Sequence, residues 1–234
     1  MTSQSPIPIT PVLQPGIETA LSLGLVSAEP VLVAPSGPAL VSEIETLAVS
    51  LARRHAGTPP SEIEGLAPAR ALYRSFGIDP TRTRPSSEAL LRRAVAGKPL
   101  PRILNAVDLC NLCALRFLLP IGLYDAARIR GNVTLRRGAT AESYEGIRKD
   151  EVHLAGRPVL ADEEGPFGNP TSDSLRTSVT LATRSLWMVI FAPAGTRPEL
   201  LEAHVQSSCE SMRLHLGSTE APVATHGRVL MGHS

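Results

Sequence analysis

Aromatic residues make up only 3% of the 234-residue chain, one Trp, three Tyr and four Phe, too little ring surface for a base-stacking sheet of the RRM type. Three cysteines cannot build a disulfide framework. Apolar runs such as Leu186 to Ala192 fall far short of the roughly 18 residues a membrane helix needs, so no membrane partner is expected. No Lys or Arg precedes Arg53, which leaves no basic region for a signal or transit peptide; the expected location is cytoplasmic. Also missing are a Walker or dinucleotide glycine loop, a Gly-x-Ser-x-Gly elbow and any His-x-x-x-His pair, so no bound cofactor and no metal are expected.

What is present begins with charge. Between Arg70 and Arg137 lie thirteen basic residues and four acidic ones, a net +9, while the remainder carries −8, so a whole-chain charge of +1 conceals two electrically opposed parts. Arginine outnumbers lysine 21 to 2, and the guanidinium fork suits phosphate. The asymmetry points to a polyanion partner; scattered, solvated arginines give the same count.

Residues 1–16, with Pro6, Pro8, Pro11, Pro15 and Gly16, read as a flexible arm, residues 17–217 as one domain and residues 218–234 as a flexible tail. Short apolar runs at Leu21 to Val26 and Val31 to Ala34 predict strands. Ser42 and Glu45 form a capping-box pattern for a helix ending before Gly57. Further helices are predicted from Pro68 to about Phe76, from Ser87 to about Ala96 with Ser86 as N-cap, and from Ile103 to about Leu118. Downstream the period changes. Val133 to Arg136, Val152 to Leu154, Val159 to Ala161, Leu175 to Thr183 and Leu186 to Ala192 read as strands, the last two as a hairpin. A final helix runs from a second capping box, Thr196 and Glu199, to Gly217. Helices mostly first and strands mostly later indicate the α+β class.

Cys110-x-x-Cys113 falls inside an apolar helix with Cys209 as the only other thiol, which favours buried small hydrophobes over a redox or zinc pair. Asp108 and Asn111, one turn apart on that helix, either tie loops together or line a site, because buried polar groups need partners. The cluster from Asn169 to Thr177 gathers hydroxyls, an acid and an arginine at a turn, suited to a polar ligand or to an Asx turn. Arg82, Arg84, Arg92, Arg93 and Arg102 flank one loop and helix, a plausible phosphate track.

Several runs taken together resemble a known family. Gly77-Ile-Asp-Pro80, Arg84-Pro-Ser-Ser-Glu-Ala-Leu90, Leu100-Pro-Arg-Ile103, Val107-Asp-Leu-Cys-Asn111, Leu119-Pro-Ile-Gly-Leu-Tyr-Asp125, Arg128-Ile-Arg-Gly131 and Gly168-Asn-Pro-Thr-Ser-Asp-Ser-Leu-Arg-Thr177 are similar to the free-standing B-three/four domain family, over roughly residues 20 to 216. That family is related to the tRNA-editing domain of the bacterial phenylalanyl-tRNA synthetase beta subunit. The resemblance implies a three-layer β/β/α sandwich whose cleft hydrolyses a mischarged aminoacyl-tRNA. It also implies that Asp108, Asn111, Gly122, Asp173, Ser174, Arg176 and Thr177 line the cleft, Asp173 binding the substrate amino group, and that Arg84, Arg92, Arg93 and Arg102 meet tRNA phosphate. The synthetase run Pro-Leu-His-Ala-Phe-Asp falls on Pro120 to Asp125, so Gly122 stands where the synthetase carries its editing histidine. The asparagine of the synthetase Ile-Asn pair falls on Leu104, with Asn105 one place later.

Three functional readings follow: a trans-acting aminoacyl-tRNA deacylase, a non-catalytic tRNA-binding module, and a small-molecule-binding protein that reuses the cleft. DNA is not an expected partner. Ester hydrolysis separates the first two, and RNA binding at physiological salt separates both from the third.

Overall fold

The computed structural model describes residues 9–60, 62–147 and 149–232. The first eight residues of the expected arm and the last two of the expected tail lie outside them.

The central strand is β9 (Leu186–Pro193), and its sequence explains the layering around it. Leu186, Met188, Ile190 and Ala192 enter one core cluster, and the alternate residues Trp187, Val189 and Phe191 enter another. A strand covered on both faces needs an unbroken apolar run, which this is. Its neighbour β2 (Leu21–Glu29) alternates in the same way, Leu21, Leu23 and Leu25 to one side, Val26 and Ala28 to the other.

With β3 (Ile121–Asp125) and β10 (Ala224–Leu230) these strands form a sheet of order β10-β2-β9-β3, every neighbouring pair antiparallel. One face carries the helices α1 (Pro38–Arg54), α4 (Asn105–Phe117) and α5 (Pro198–His215). The other packs on a second sheet built from β1 (Val12–Leu13), β4 (Thr134–Arg137), β7 (Pro158–Asp162) and β8 (Gly165–Gly168). The result is α+β, a β/β/α sandwich. Helix α2 (Ala67–Ser75) adds Leu72 to the cluster between the sheets, with Phe76 just past its end. Helix α3 (Ser86–Val95) packs Leu90 and Leu91 against α1 and α4. A hairpin of β5 (Ser143–Gly146) and β6 (Lys149–His153) stands beside β8.

Where the structure differs from expectation, the reasons are local. Leu175 to Thr183 is no strand and makes no hairpin with β9. Its backbone hydrogen bonds run to Glu145 and Asp125 and into its own turns, and Leu175 and Leu181 stand exposed. Ser and Thr hydroxyls offered that backbone a rival to a ladder. Val31 to Ala34 is irregular chain, and the first helix begins at Pro38 behind Gly37, so Ser42 lies inside it rather than capping it. Thr196 likewise precedes the N-cap, which is Arg197. Val12–Leu13 of the expected arm pairs in parallel with Thr134–Leu135, and the expected tail contains β10, paired along its whole length with β2. Among the described residues no helix is long and apolar enough to cross a membrane.

Candidate functional site

The turn that follows β8 is densely tied by polar contacts. Asn169 builds it as an Asx turn, its Oδ1 accepting the backbone N–H groups of Thr171 at 2.7 Å and Ser172 at 3.0 Å. Beyond it the chain runs back between β8 and β5: Ser174 N donates to Phe167 O at 2.9 Å, and Leu175 N to Glu145 O at 2.9 Å. The segment then covers the open edge of β3, where Asp125 N donates to Thr177 O at 2.9 Å and Leu123 N reaches Asp173 Oδ2 at 3.4 Å. A sheet edge is thereby closed.

All three tyrosines of the sequence converge here. Tyr73, from α2, donates to Pro170 O at 2.9 Å and takes a bond from the Thr171 hydroxyl at 3.1 Å. Tyr144, from β5, donates to Ser172 O and accepts from Asn169 Nδ2 at 2.8 Å. Tyr124, from β3, places its hydroxyl against Gly168, the bridge partner of Asp173. Its ring is held edge-on to Phe167, centroids 5.2 Å apart, and tilted against Trp187 at 5.7 Å.

The Tyr124 hydroxyl fills a gap that two glycines leave. A Cβ on Gly122 would stand 2.1 Å from Tyr124 Oη, and one on Gly168 would stand 2.2 Å from it. Any side chain at either position would displace the phenol. Tyr124 Oη and Asp173 Oδ1 are both buried, and neither has a hydrogen-bond partner among the described residues, although Gly168 lies against the Tyr124 hydroxyl and is bridged to Asp173. Burying such a group unpaired costs about 1–3 kcal/mol. The residue Asp173 retains some exposure through its other atoms, but its carboxyl lies inside.

Burial pushes the Asp173 carboxyl up to about 7, against the lowering effect of the Tyr124 hydroxyl and the Leu123 N–H. Its charge acts on the groups around it. Burial first, then the Asp173 charge, raises Tyr124 and Tyr144; burial also raises Tyr73 to about 12 and, with Cys113 and Asp173 nearby, raises Cys110. The Arg157 cation acts in the opposite sense on Tyr73 and Tyr144. A carboxyl poised near neutrality beside a hydroxyl can bind an ammonium group or exchange a proton.

The structure brings Gly122 and Asp173 together but gives the other expected cleft residues different work. Asp108 accepts from Ser36 Oγ at 2.6 Å and from Ile103 N at 2.9 Å, fastening two loops to the start of α4. Asn111 is half-buried one turn on, its side chain without a hydrogen-bond partner among the described residues. Ser174 and Thr177 satisfy each other, their hydroxyls 3.1 Å apart and fully buried. Arg176 is committed to Asp162. Cys110 and Cys113 are core residues of α4, and burial raises Cys113 to about 11.

Of the expected phosphate contacts, Arg84 and Arg92 converge on the buried Glu88 at 3.6 and 3.0 Å, together with Arg70, which grips the same carboxylate through two 2.8 Å bonds. Arg84 and Arg92 keep 40% of their side chains exposed. Arg93 donates to Pro99 O at 2.6 Å, and Arg102 pairs with Glu45 at 3.0 Å, both at the surface. Sequence reasoning missed Arg70, Tyr73, Tyr124 and Tyr144. The scarcity of tyrosine, with Tyr124 two places from Gly122, was the available signal.

A family model described as B3/4 domain matches residues 68–213, a span that holds every cleft and phosphate residue named above. No curated protein matches. Among solved structures the chain is similar to an N-terminal fragment of the phenylalanyl-tRNA synthetase beta-subunit from Pyrococcus horikoshii, with 12% identity and a TM-score of 0.47 over 98% of this chain and 52% of that one. The chain thus spans about half the length of that fragment.

Proposed function

The chain belongs to the B3/4 domain family, and from that membership we propose that it acts on aminoacylated tRNA, hydrolysing a wrongly attached amino acid in trans. One observation carries the reading. Gly122 and Asp173, assigned to a single cleft by resemblance, stand far apart in sequence and meet at the Tyr124 hydroxyl.

In this reading Asp173 receives the substrate amino group, whose positive charge favours the ionised carboxyl. A placed water attacks the ester carbonyl, the bond to the ribose oxygen breaks and that oxygen takes up the proton. Backbone N–H groups suffice to stabilise the oxyanion, and a ribose hydroxyl of the tRNA can assist the water, so no histidine is needed at position 122. Arg84, Arg92, Arg93 and Arg102 contact phosphate, within the segment that carries net +9.

The test is loss of the aminoacyl ester from a panel of correctly and incorrectly charged tRNAs, with Asp173→Asn in parallel. Selective deacylation abolished in the variant supports the proposal and names the substrate. Intact ester with salt-sensitive tRNA binding replaces it by a non-catalytic module, which the bare Gly122 favours. Absence of both redirects the cleft to small molecules.

A further inference from the structure

Tyr124 occupies a position where its ring alone would satisfy the core. Phe167 and Trp187 hold that ring, and a phenylalanine would bury the same carbon surface. The hydroxyl is extra, and the chain makes room for it twice, at Gly122 and at Gly168, on two different sheets. It is fully buried against Gly168, the bridge partner of Asp173, and Asp173 Oδ1, the carboxyl oxygen that receives no backbone donor, is buried as well. A buried hydroxyl with reserved space beside a buried carboxyl is a device for holding that carboxyl.

We infer that Tyr124 is the positioning residue for Asp173 in the proposed site: its hydroxyl fixes the orientation of the carboxyl and stabilises its charged form. The inference rests on the functional reading only for what Asp173 then does. The groups that face the carboxyl are Tyr124 and the Leu123 N–H from β3, Cys110 from α4, Tyr144 from β5 and Tyr73 from α2; Arg157, ahead of β7, acts on the last two. Of the side chains among them, Tyr124 is the one that supports the ionised carboxyl directly. Removing its hydroxyl takes away one of the two groups that favour the ionised carboxyl and leaves the Leu123 N–H, so the neutral acid gains.

The experiment is a carboxyl-carbon NMR titration of the full chain, with Asp173 assigned through Asp173→Asn, in the wild type and in Tyr124→Phe. The expected result is an Asp173 midpoint raised by about half a unit or more in Tyr124→Phe, with the acid limb of deacylation moving by the same amount. An unchanged midpoint in a folded Tyr124→Phe overturns the inference. Should that variant fail to fold, the wild type decides the matter: the Tyr124 Cζ resonance must shift at the Asp173 midpoint, and a flat signal overturns the inference equally. A wild type that deacylates nothing defeats the functional reading instead, and the carboxyl titration still decides the role of Tyr124.

Discussion

Arg176 grips Asp162 with both ends of its guanidinium, Nη2 to Oδ1 at 2.8 Å and Nη1 to Oδ2 at 3.0 Å, while the Asp162 side chain is wholly buried. An arginine that reads in sequence as a ligand contact therefore fastens the loop after Asp173 to the end of β7. Arg176→Ala leaves Asp162 with only the backbone donors of Arg130 and Glu164, and should destabilise by about 2 kcal/mol in urea denaturation. Arg176→Lys should recover less than half of that, since an ammonium cannot supply the fork. A neutral Arg176→Ala would show the pair to be dispensable.

Asp173 makes stability depend on pH. Its native value of about 7 lies above the unfolded value of about 3.9, so its contribution is fully present below pH 4 and lost as pH rises through 7. Asp173→Asn cannot ionise. Its stability relative to wild type should therefore grow between pH 4.5 and pH 8, by up to about 3 kcal/mol at about 1.4 kcal/mol per unit. Denaturant midpoints at the two pH values measure this; a constant difference would mean that the carboxyl titrates normally.

Helix α5 approaches the central sheet through glycines. A Cβ on Gly24 would meet Val205 Cγ2 at 2.9 Å, and one on Gly227 would meet Val205 Cγ1 at 2.5 Å. Gly24→Ala and Gly227→Ala should each cost about 1–3 kcal/mol by overpacking. Combining either with Val205→Ala should restore part of the loss, and strict additivity in thermal denaturation would contradict a steric cause.

The guanidiniums around Glu88 should divide into two classes. On the proposed tRNA-binding reading, Arg84→Ala and Arg92→Ala, whose side chains are 40% exposed, should lower tRNA affinity and reduce the salt slope by about one each, with little change in stability. Arg70→Ala should destabilise by about 3 kcal/mol, because Glu88 is buried and Arg70 is its two-bond partner. Equal salt slopes in wild type and Arg84→Ala would remove that residue from the phosphate surface.

Helices α1 to α5 and strands β2, β4, β6, β7 and β9 were legible because a periodic apolar face or a short apolar run marks each of them. Strands β3, β5, β8 and β10 were not. β5 and β8 are four-residue strands rich in glycine and polar residues, and β10, Ala-Thr-His-Gly-Arg-Val-Leu, lies half-exposed at an edge with little alternation to read. Leu175 to Thr183 misled in the opposite sense, since its alternation is real but its hydroxyls and turns claim the backbone. In the candidate site, resemblance singles out Gly122 and Asp173, whereas Tyr73, Tyr124 and Tyr144 are single residues on three separate elements. Only the tertiary structure reveals that they share one turn.

The position of β10 has a consequence for how the molecule is made. Its residues, 224–230, pair with residues 23–29 of β2, which also pairs with β9. Strand β2 thus waits for partners far along the chain, and the sheet cannot close until residues 224–230 have been made. Non-local pairing of this kind makes folding slow, and it leaves the hydrogen-bonding edges of β2 unpaired until β9 and β10 have been made.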